Sequence, residues 1–308
     1  THVFKKASDL DISLDVYVPK SASESSPCST VLVWWHGGGL LQGTRKAAAP
    51  HLLRAVDEHN IVVVSADYRL APQTRLPRIL GDARDAVSWV QQEGSLSKLT
   101  GGRARPDNVF VSGSSAGGWL ALLVANSIGF KECGVPDLPA KVKGCIAIYP
   151  ITDISDSFWT TPQRPVSYMN GRILDGRKDL GDHILNSSSP PTTSSAPDSR
   201  RSQFYHYMIQ EALEQKLLLD ETNVKPRDVA VALAIKEGRV AAPVPTMLIH
   251  GDIDDKVPIS QADDVAAALK AKSGCDVEYM RLQGKDHLYD VDPKEEMREM
   301  YDWIKKHV

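Results

Sequence analysis

The stretch that decides the fold is VFVSGSSAGGW, residues 109–119. An apolar run typical of a buried strand leads into a serine set among glycines, and a helix-like run follows. Residues 113–117 fit G-x-S-x-G with Ser115 at the centre, in the strand-then-helix context that gives this motif its meaning. The glycines remove Cβ atoms that would strike the neighbouring strand or helix. Ser115 is therefore the candidate nucleophile, and Ser114 is the poorer candidate.

Similar apolar runs recur along the chain and alternate with segments of helical periodicity. The buried runs are residues 30–35, 61–66, 108–112, 145–149 and 245–250, and the helical patterns are 50–59, 80–92, 116–127, 260–272 and 293–307. Strands that are apolar on both faces favour a parallel sheet covered on both sides. The β-α-β-α order predicts an α/β fold class, with a mostly parallel, doubly wound sheet flanked by helices.

Two segments differ from this alternation. Residues 21–29, rich in Ser and Pro, predict a turn, and they follow an alternating stretch at 10–18 that predicts a half-buried strand. Residues 153–241 contain no buried strand, two helical patterns near 203–219 and 227–237, and a Ser/Pro-rich tract at 186–202. We interpret 153–241 as a helical cap with a flexible tract, inserted into a core of residues 1–152 and 242–308.

The composition excludes several function classes. A chain of 308 residues with 42% apolar and 24% charged side chains and a net charge of −3 is an ordinary globular protein without a basic footprint. No apolar run approaches the ~20 residues of a membrane span, so we expect neither a nucleic-acid partner nor a membrane span. No CxxC pair occurs among the four cysteines, Cys28, Cys133, Cys145 and Cys275.

The cysteine pattern excludes a cysteine-based zinc site and favours reduced thiols. The segment 1–6 lacks the apolar core of a signal peptide, so we expect a cytoplasmic location. Thr1 stands where an initiator Met is expected, which is consistent with residues missing upstream of this numbering.

Three further loops carry chemistry. His36-Gly37-Gly38-Gly39 follows the run 30–35, and a triple glycine frees a loop to present successive backbone N–H groups to an oxyanion. The sequence GDIDDKVP at 251–258 follows the run 245–250 and offers three competing acids: Asp252, Asp254 and Asp255. His287 stands just beyond a predicted last strand at 276–282, where a general base is expected.

Together these motifs resemble the α/β-hydrolase superfamily, in its hormone-sensitive-lipase-like branch. The resemblance rests on HGGG at 36–39, DYRLAP at 67–72 and GSSAGG at 113–118, with HGDIDDKVP at 250–258 and GKDH at 284–287. It implies Ser115 as nucleophile, His287 as base and Asp254 as the acid that orients the base. The implied oxyanion hole consists of the N–H groups of Gly38, Gly39 and Ala116.

The predicted function is hydrolysis of a carboxylic ester or lactone through an acyl-enzyme, without a metal or an organic cofactor. The alternatives are amide hydrolysis, acyl transfer, macrolactone formation or opening, and a non-catalytic binding protein on the same scaffold. Apolar side chains beside the oxyanion loop and early in the cap predict a medium-sized, partly apolar small-molecule substrate. These candidates are Trp35, Leu40, Phe158, Trp159 and Tyr168. We also expect a homodimer, as is common in this family.

Overall fold

The computed structural model describes residues 1–20, 30–92 and 94–308, so the predicted turn at 21–29 and Cys28 lie outside the described residues. Its strands are β1 (His2–Ala7), β2 (Leu10–Tyr17), β3 (Val31–Trp35), β4 (Val62–Ala66), β5 (Val109–Ser114), β6 (Gly144–Ile148), β7 (Thr246–Gly251) and β8 (Val277–Leu282). Within the described chain they form one sheet in the order β1-β2-β4-β3-β5-β6-β7-β8.

The sheet is parallel from β4 to β8, and β1 and β2 add an antiparallel edge. Every residue of the five strands β3 to β7 is buried, which explains their continuous apolar runs. The predicted fold class, a mostly parallel α/β sheet, is confirmed. Sequence analysis missed β1, because its sequence HVFKKA has neither a continuous apolar run nor a clean alternation.

Helices cover both faces of the sheet. In the described residues they are α1 (Pro50–Glu58), α2 (Leu76–Gln91), α3 (Ser95–Thr100), α4 (Ala116–Ala125), α5 (Phe130–Cys133), α6 (Ser157–Thr160), α7 (Asp182–Leu185), α8 (Phe204–Glu211), α9 (Glu214–Leu219), α10 (Val231–Lys236), α11 (Ser260–Ala271) and α12 (Arg298–Lys306). Helices α2, α4 and α11 contribute to one apolar core, and α1 and α12 to the core on the opposite face. None of the described helices is long and apolar enough to cross a membrane.

Helix boundaries differ from the prediction where local signals were weak. Helix α2 begins at Leu76, before the predicted start, because a proline in its first turn needs no N–H partner there. The predicted helix over 203–219 is divided into α8 and α9 at Ala212, whose φ of 54° lies in the left-handed region and ends α8.

Residues 153–241 lie between β6 and β7 and contribute no strand to the described sheet. Their regular structure consists of the short helices α6 to α10, with single turns of other helix types between them. This segment therefore begins shortly after the carboxyl end of β6. The carboxyl ends of parallel strands form one edge of a sheet, which is where ligand sites lie in α/β folds.

Candidate active site

Ser115 occupies the sharp turn between β5 and α4, and its side chain is almost fully buried. Its backbone has φ 58° and ψ −120°, a conformation that costs of order 1–3 kcal/mol for a residue other than glycine. A Cβ on Gly113 would lie 2.2 Å from the carbonyl of Gly117, and one on Gly117 would lie 2.1 Å from the Trp35 oxygen. Both glycines of the motif are therefore required by close backbone packing, and the turn is the one that G-x-S-x-G predicts.

Ser115 borders a cavity of about 380 Å³, which we call the central cavity. Its lining is mostly apolar and comes from two parts of the chain. The sheet and its loops supply Ser115, Trp34 and His287, whereas the insertion 153–241 supplies Tyr205 and His206. A largely apolar cavity with a few polar groups beside a strained serine is typical of a small-molecule active site.

His287 also lines the central cavity, and its ring is oriented by Asp254. The Nδ1 atom of His287 lies 2.7 Å from Oδ2 of Asp254. Because a carboxylate oxygen only accepts, Nδ1 carries the proton of a neutral imidazole, which leaves Nε2 free to accept one. His287 and Asp254 thus have the relationship of a general base and its orienting acid.

Asp254 is held by four donors. Its Oδ1 accepts the backbone N–H groups of Lys256 and Val257, each at 2.9 Å, and its Oδ2 accepts from His287 and from Nε2 of His250 at 3.1 Å. Burial opposes ionisation, but the hydrogen bonds from His250 and His287 and the N–H of Val257 hold the pKa of Asp254 well below its usual range. Asp254 is therefore ionised at neutral pH.

The two competing acids of the same loop lie elsewhere. Asp252 accepts the backbone N–H of Gly284 at 2.6 Å, and Asp255 pairs on the surface with Lys256 at 2.6 Å. His250, which lies in β7, has a fully buried side chain and contacts Asp254 instead of the central cavity. Of the three acids, Asp254 is the one that the fold brings to His287.

The glycine loop packs against the nucleophile turn. A Cβ on Gly37 would lie 3.0 Å from Cβ of Ser115, and Gly38 and Gly39 adopt φ values of 102° and 65° that favour glycine. In the described part of the chain, the N–H groups of Gly38, Gly39 and Ala116 have no protein acceptor. Gly37 and Gly38 line the central cavity, whereas Gly39 and Ala116 do not.

His36 supports this loop as a neutral group. Its Nδ1 contacts the Gly37 oxygen at 2.8 Å and the Tyr68 hydroxyl at 3.1 Å, and its ring stacks on Tyr68. Burial lowers the pKa of His36 to about 4, so the ring carries no charge at neutral pH. The histidine of HGGG is thus a buried brace for the glycines that follow it.

The five predicted substrate contacts do not line the central cavity. Trp35, Leu40 and Trp159 are fully buried in the apolar core, and Phe158 packs edge-on against Trp159. Tyr168 contacts Lys256 and His206, which themselves line the cavity. Trp34 lines the cavity instead, because successive side chains of a strand point to opposite faces and a shift of one residue changes the face.

Sequence reasoning also missed residues of the tract 186–202. Ser195, Ala196 and Pro197 line the central cavity, and the Ser195 hydroxyl accepts the N–H of Gly43 at 2.9 Å. The N–H of Ser195 donates to the Gly43 oxygen at 2.8 Å. The signal that predicted this segment, its Ser/Pro composition, marks a loop but does not indicate what the loop contacts.

Arg201 completes the connection between this tract and the glycine loop. Its guanidinium donates to the Leu41 oxygen at 2.6 Å, to the Ala71 oxygen at 2.5 Å and to the Gln73 side chain at 2.9 Å. Burial lowers the pKa of Arg201 to about 10, which leaves it charged at neutral pH. The wall of the central cavity formed by residues 195–202 is therefore fixed to the loop that follows the glycines.

The sheet order and the strained serine turn between β5 and α4 define an α/β hydrolase fold. The sequence profile described as "alpha/beta hydrolase fold" matches residues 32–291. The chain belongs to that family, and the family resemblance inferred from the sequence is confirmed. Family membership supports hydrolase chemistry.

Comparison with known proteins adds two kinds of relative. The chain is 28% identical over 336 residues to the non-reducing polyketide synthase ausA of Aspergillus calidoustus, and the match covers 96% of this chain but only 13% of the synthase. Among solved structures, a Staphylococcus aureus protein of unknown function matches with a TM-score of 0.73 and 18% identity, covering 99% of this chain and 97% of the other. Esterase 2 of Thermogutta terrifontis matches with a TM-score of 0.64 and 19% identity, covering 99% and 91%. At these identities the structural matches show the shared fold.

Proposed function

We propose that the protein is a serine hydrolase that cleaves carboxylic esters or lactones through an acyl-enzyme on Ser115. The observation that carries the proposal is the pairing of His287 with an ionised Asp254 at the cavity that Ser115 borders. A serine hydroxyl is a poor nucleophile near neutral pH, so it needs a neighbouring base of this kind.

In the proposed reaction, Nε2 of His287 takes the Ser115 proton while Oγ attacks the substrate carbonyl. Asp254 keeps the proton of the imidazole on Nδ1 and stabilises the imidazolium that forms. The oxyanion is held by N–H groups of the 37–39 loop and of Ala116. The imidazolium then gives its proton to the leaving alcohol, and water, activated by His287, releases the acyl group.

The proposed substrate is a medium-sized acyl compound. The central cavity of about 380 Å³ lies at the lower end of the range typical of small-molecule sites. Its apolar lining from Trp34, Ala47 and Pro197 suits a hydrocarbon or ring portion. We place the acyl group against these side chains, beside Ser115.

A second candidate is release of an acyl chain from a thioester. It is favoured by the match to a polyketide synthase, of which this chain spans about an eighth of the length. The same attack by Ser115 would transfer the acyl group from sulfur to oxygen, after which water, or an alcohol within the acyl chain, would release it. His287 would pass the Ser115 proton to the leaving thiol, and release to an alcohol within the chain corresponds to the macrolactone alternative given above.

One screen tests the two candidates together. Wild type and Ser115→Ala are assayed with p-nitrophenyl esters of increasing acyl length, with lactones, and with matched acyl thioesters. The proposal expects turnover by wild type and, for Ser115→Ala, only a residual rate lower by several orders of magnitude. Equal turnover by both proteins would contradict the proposal, and the ratio of thioester to ester turnover selects between the two substrates.

A further inference from the structure

A second buried carboxylate lies beside the same cavity. Asp290 is 1% exposed and belongs to a single helical turn, Tyr289–Val291, shortly after His287. It lines the central cavity together with Ser114 and Tyr149. Asp254 already orients His287, so the proposed mechanism has no use for another acid at this place.

Asp290 contacts three separate elements: the end of β5, the residue that follows β6, and α1. Its Oδ1 accepts a short hydrogen bond from the hydroxyl of Tyr149, and its Oδ2 accepts from the hydroxyl of Ser114 at 3.3 Å. Nε2 of His51 lies 3.6 Å from the same Oδ2. In the described ranges no lysine or arginine forms an ion pair with Asp290, and the polar groups beside its carboxyl are two hydroxyls and one imidazole.

Each hydroxyl group that donates to Asp290 belongs to a residue in or beside a strained part of the backbone. Ser114 immediately precedes Ser115, whose φ is 58°, and Tyr149 itself has a φ of 35°. A residue other than glycine pays roughly 1–3 kcal/mol for such a backbone, and strain of this kind persists where surrounding contacts fix it. The carboxylate thus contacts the nucleophile turn and the end of β6 at the points where fixation is needed.

Tyr149 connects Asp290 with His287, the proposed base. Its ring centroid lies 4.3 Å from that of His287, with the planes tilted by 50°, and Tyr289 packs edge-on against it from another side. Burial, together with the nearby Asp290 carboxylate, raises the pKa of Tyr149 well above its usual value, so its hydroxyl stays protonated and donates. Asp290 therefore binds the hydroxyl end of the ring that packs beside His287.

We propose that Asp290 is a positioning residue of the active site. It keeps the Ser115 turn and the His287 ring aligned with each other through its contacts with Ser114 and Tyr149. It acts through these neighbours and is not itself the base or the nucleophile. This inference rests on the proposed function of Ser115. A buried carboxylate without a lysine or arginine partner is costly, and a role in alignment explains why it is placed beside the reacting groups.

The test measures how fast a small fluorophosphonate inactivates the enzyme, because that rate depends on the reactivity of Ser115. Asp290→Asn keeps the shape but removes the charge, and we expect its inactivation rate to fall about 10-fold to 100-fold, as a displacement of reacting groups requires. With a p-nitrophenyl ester, kcat falls by a similar factor while KM changes by less than about threefold. A merely structural role would lower the thermal midpoint and leave both rates unchanged.

Glu214→Gln is the matched control. Glu214 is likewise 1% exposed, but it lies in α9 and does not line the central cavity. We expect this variant to react at the wild-type rate. A wild-type rate for Asp290→Asn, or a Glu214→Gln loss as large as that of Asp290→Asn, would overturn the inference.

Two single-contact variants keep the test decisive if Asp290→Asn does not fold. Ser114→Ala and Tyr149→Phe each remove one hydroxyl, and we expect a smaller loss from each, with the double variant losing less than the two losses combined, because both act through one carboxylate. Wild-type rates in both variants would overturn the inference. Failure of wild type to react at Ser115 would instead overturn the proposed function, on which the inference rests.

Discussion

Nδ1 of His287 and Oδ2 of Asp254 lie 2.7 Å apart, although the two residues are separated by 33 positions in the chain. The second oxygen of the same carboxylate is fixed by two backbone N–H groups of its own loop. Asp254 can therefore neither rotate nor leave without disrupting the loop. This pairing fixes the tautomer of His287.

Asp254→Asn should lower kcat by about 10⁴ while leaving the fold intact, because an amide at this place no longer holds the proton on Nδ1 of His287. Steady-state kinetics with a p-nitrophenyl ester measures the loss. Asp255→Asn is the control from the same loop, since Asp255 is partly exposed and pairs only with Lys256 within the described chain. If Asp255→Asn were the damaging change and Asp254→Asn the harmless one, the assignment of the acid would be wrong.

Gly38→Ala should reduce kcat by about 10²-fold, equivalent to ~3 kcal/mol in the barrier, through displacement of the oxyanion loop. A Cβ at Gly38 would lie 2.3 Å from the Gln42 oxygen, and φ is 102°. Gly101→Ala provides the comparison, because Gly101 also has a positive φ of 61° but its Cβ would meet nothing within 4 Å. That variant should lose ~1 kcal/mol of stability and no activity. Equal activity of the two variants would count against an oxyanion hole in this loop.

Glu214→Gln should stabilise the protein at alkaline pH. Burial raises the pKa of Glu214 to about 8, and both carboxyl oxygens are buried without a hydrogen-bond partner in the described residues. Because the pKa of Glu214 is higher in the folded state than in the unfolded state, its contribution to the free energy of unfolding is fully present below about pH 4 and is lost as the pH rises towards 8. Thermal melts of wild type and Glu214→Gln should therefore differ by several degrees more at about pH 8 than at about pH 5. A pH-independent difference would show that Glu214 does not titrate in this way.

Ala47→Phe should shorten the preferred acyl chain. Ala47 is exposed at the end of the turn Arg45–Ala47 and lines the central cavity, so a phenyl ring there occupies space at its wall. We expect kcat/KM for long p-nitrophenyl esters to fall about 10-fold or more, with the acetate ester changed by less than about threefold. The acetate ester is the internal control. A uniform loss across chain lengths would place the acyl group elsewhere.

The sequence was sufficient for the fold class and for the relationship between Asp254 and His287. Strands buried on both faces appear as continuous apolar runs, and the loops at their carboxyl ends meet at one edge of a parallel sheet. The acidic loop follows β7 and His287 follows β8, so chain position predicted that this loop lies near His287, and the family resemblance selected Asp254 among its three acids. The loops that follow β7 and β8 lie close together because these two strands are neighbours in the sheet.

The walls of the cavity were not predictable in the same way. Trp34 and Trp35 are equally apolar, and only the register of β3 decides which of them reaches the cavity. Asp290 contacts Ser114 and Tyr149 across 176 and 141 residues, and no local pattern marks such a contact. Periodicity describes the face of one element, whereas these residues depend on how separate elements pack.

The central claim is that Ser115 is the nucleophile, and mass spectrometry of the intact and digested protein after fluorophosphonate treatment tests it most directly. We expect one adduct per chain, located on the peptide that contains Ser115, absent in Ser115→Ala and retained in Ser114→Ala. An adduct on Ser114, an adduct that persists in Ser115→Ala, or no adduct on the folded wild-type protein would contradict it.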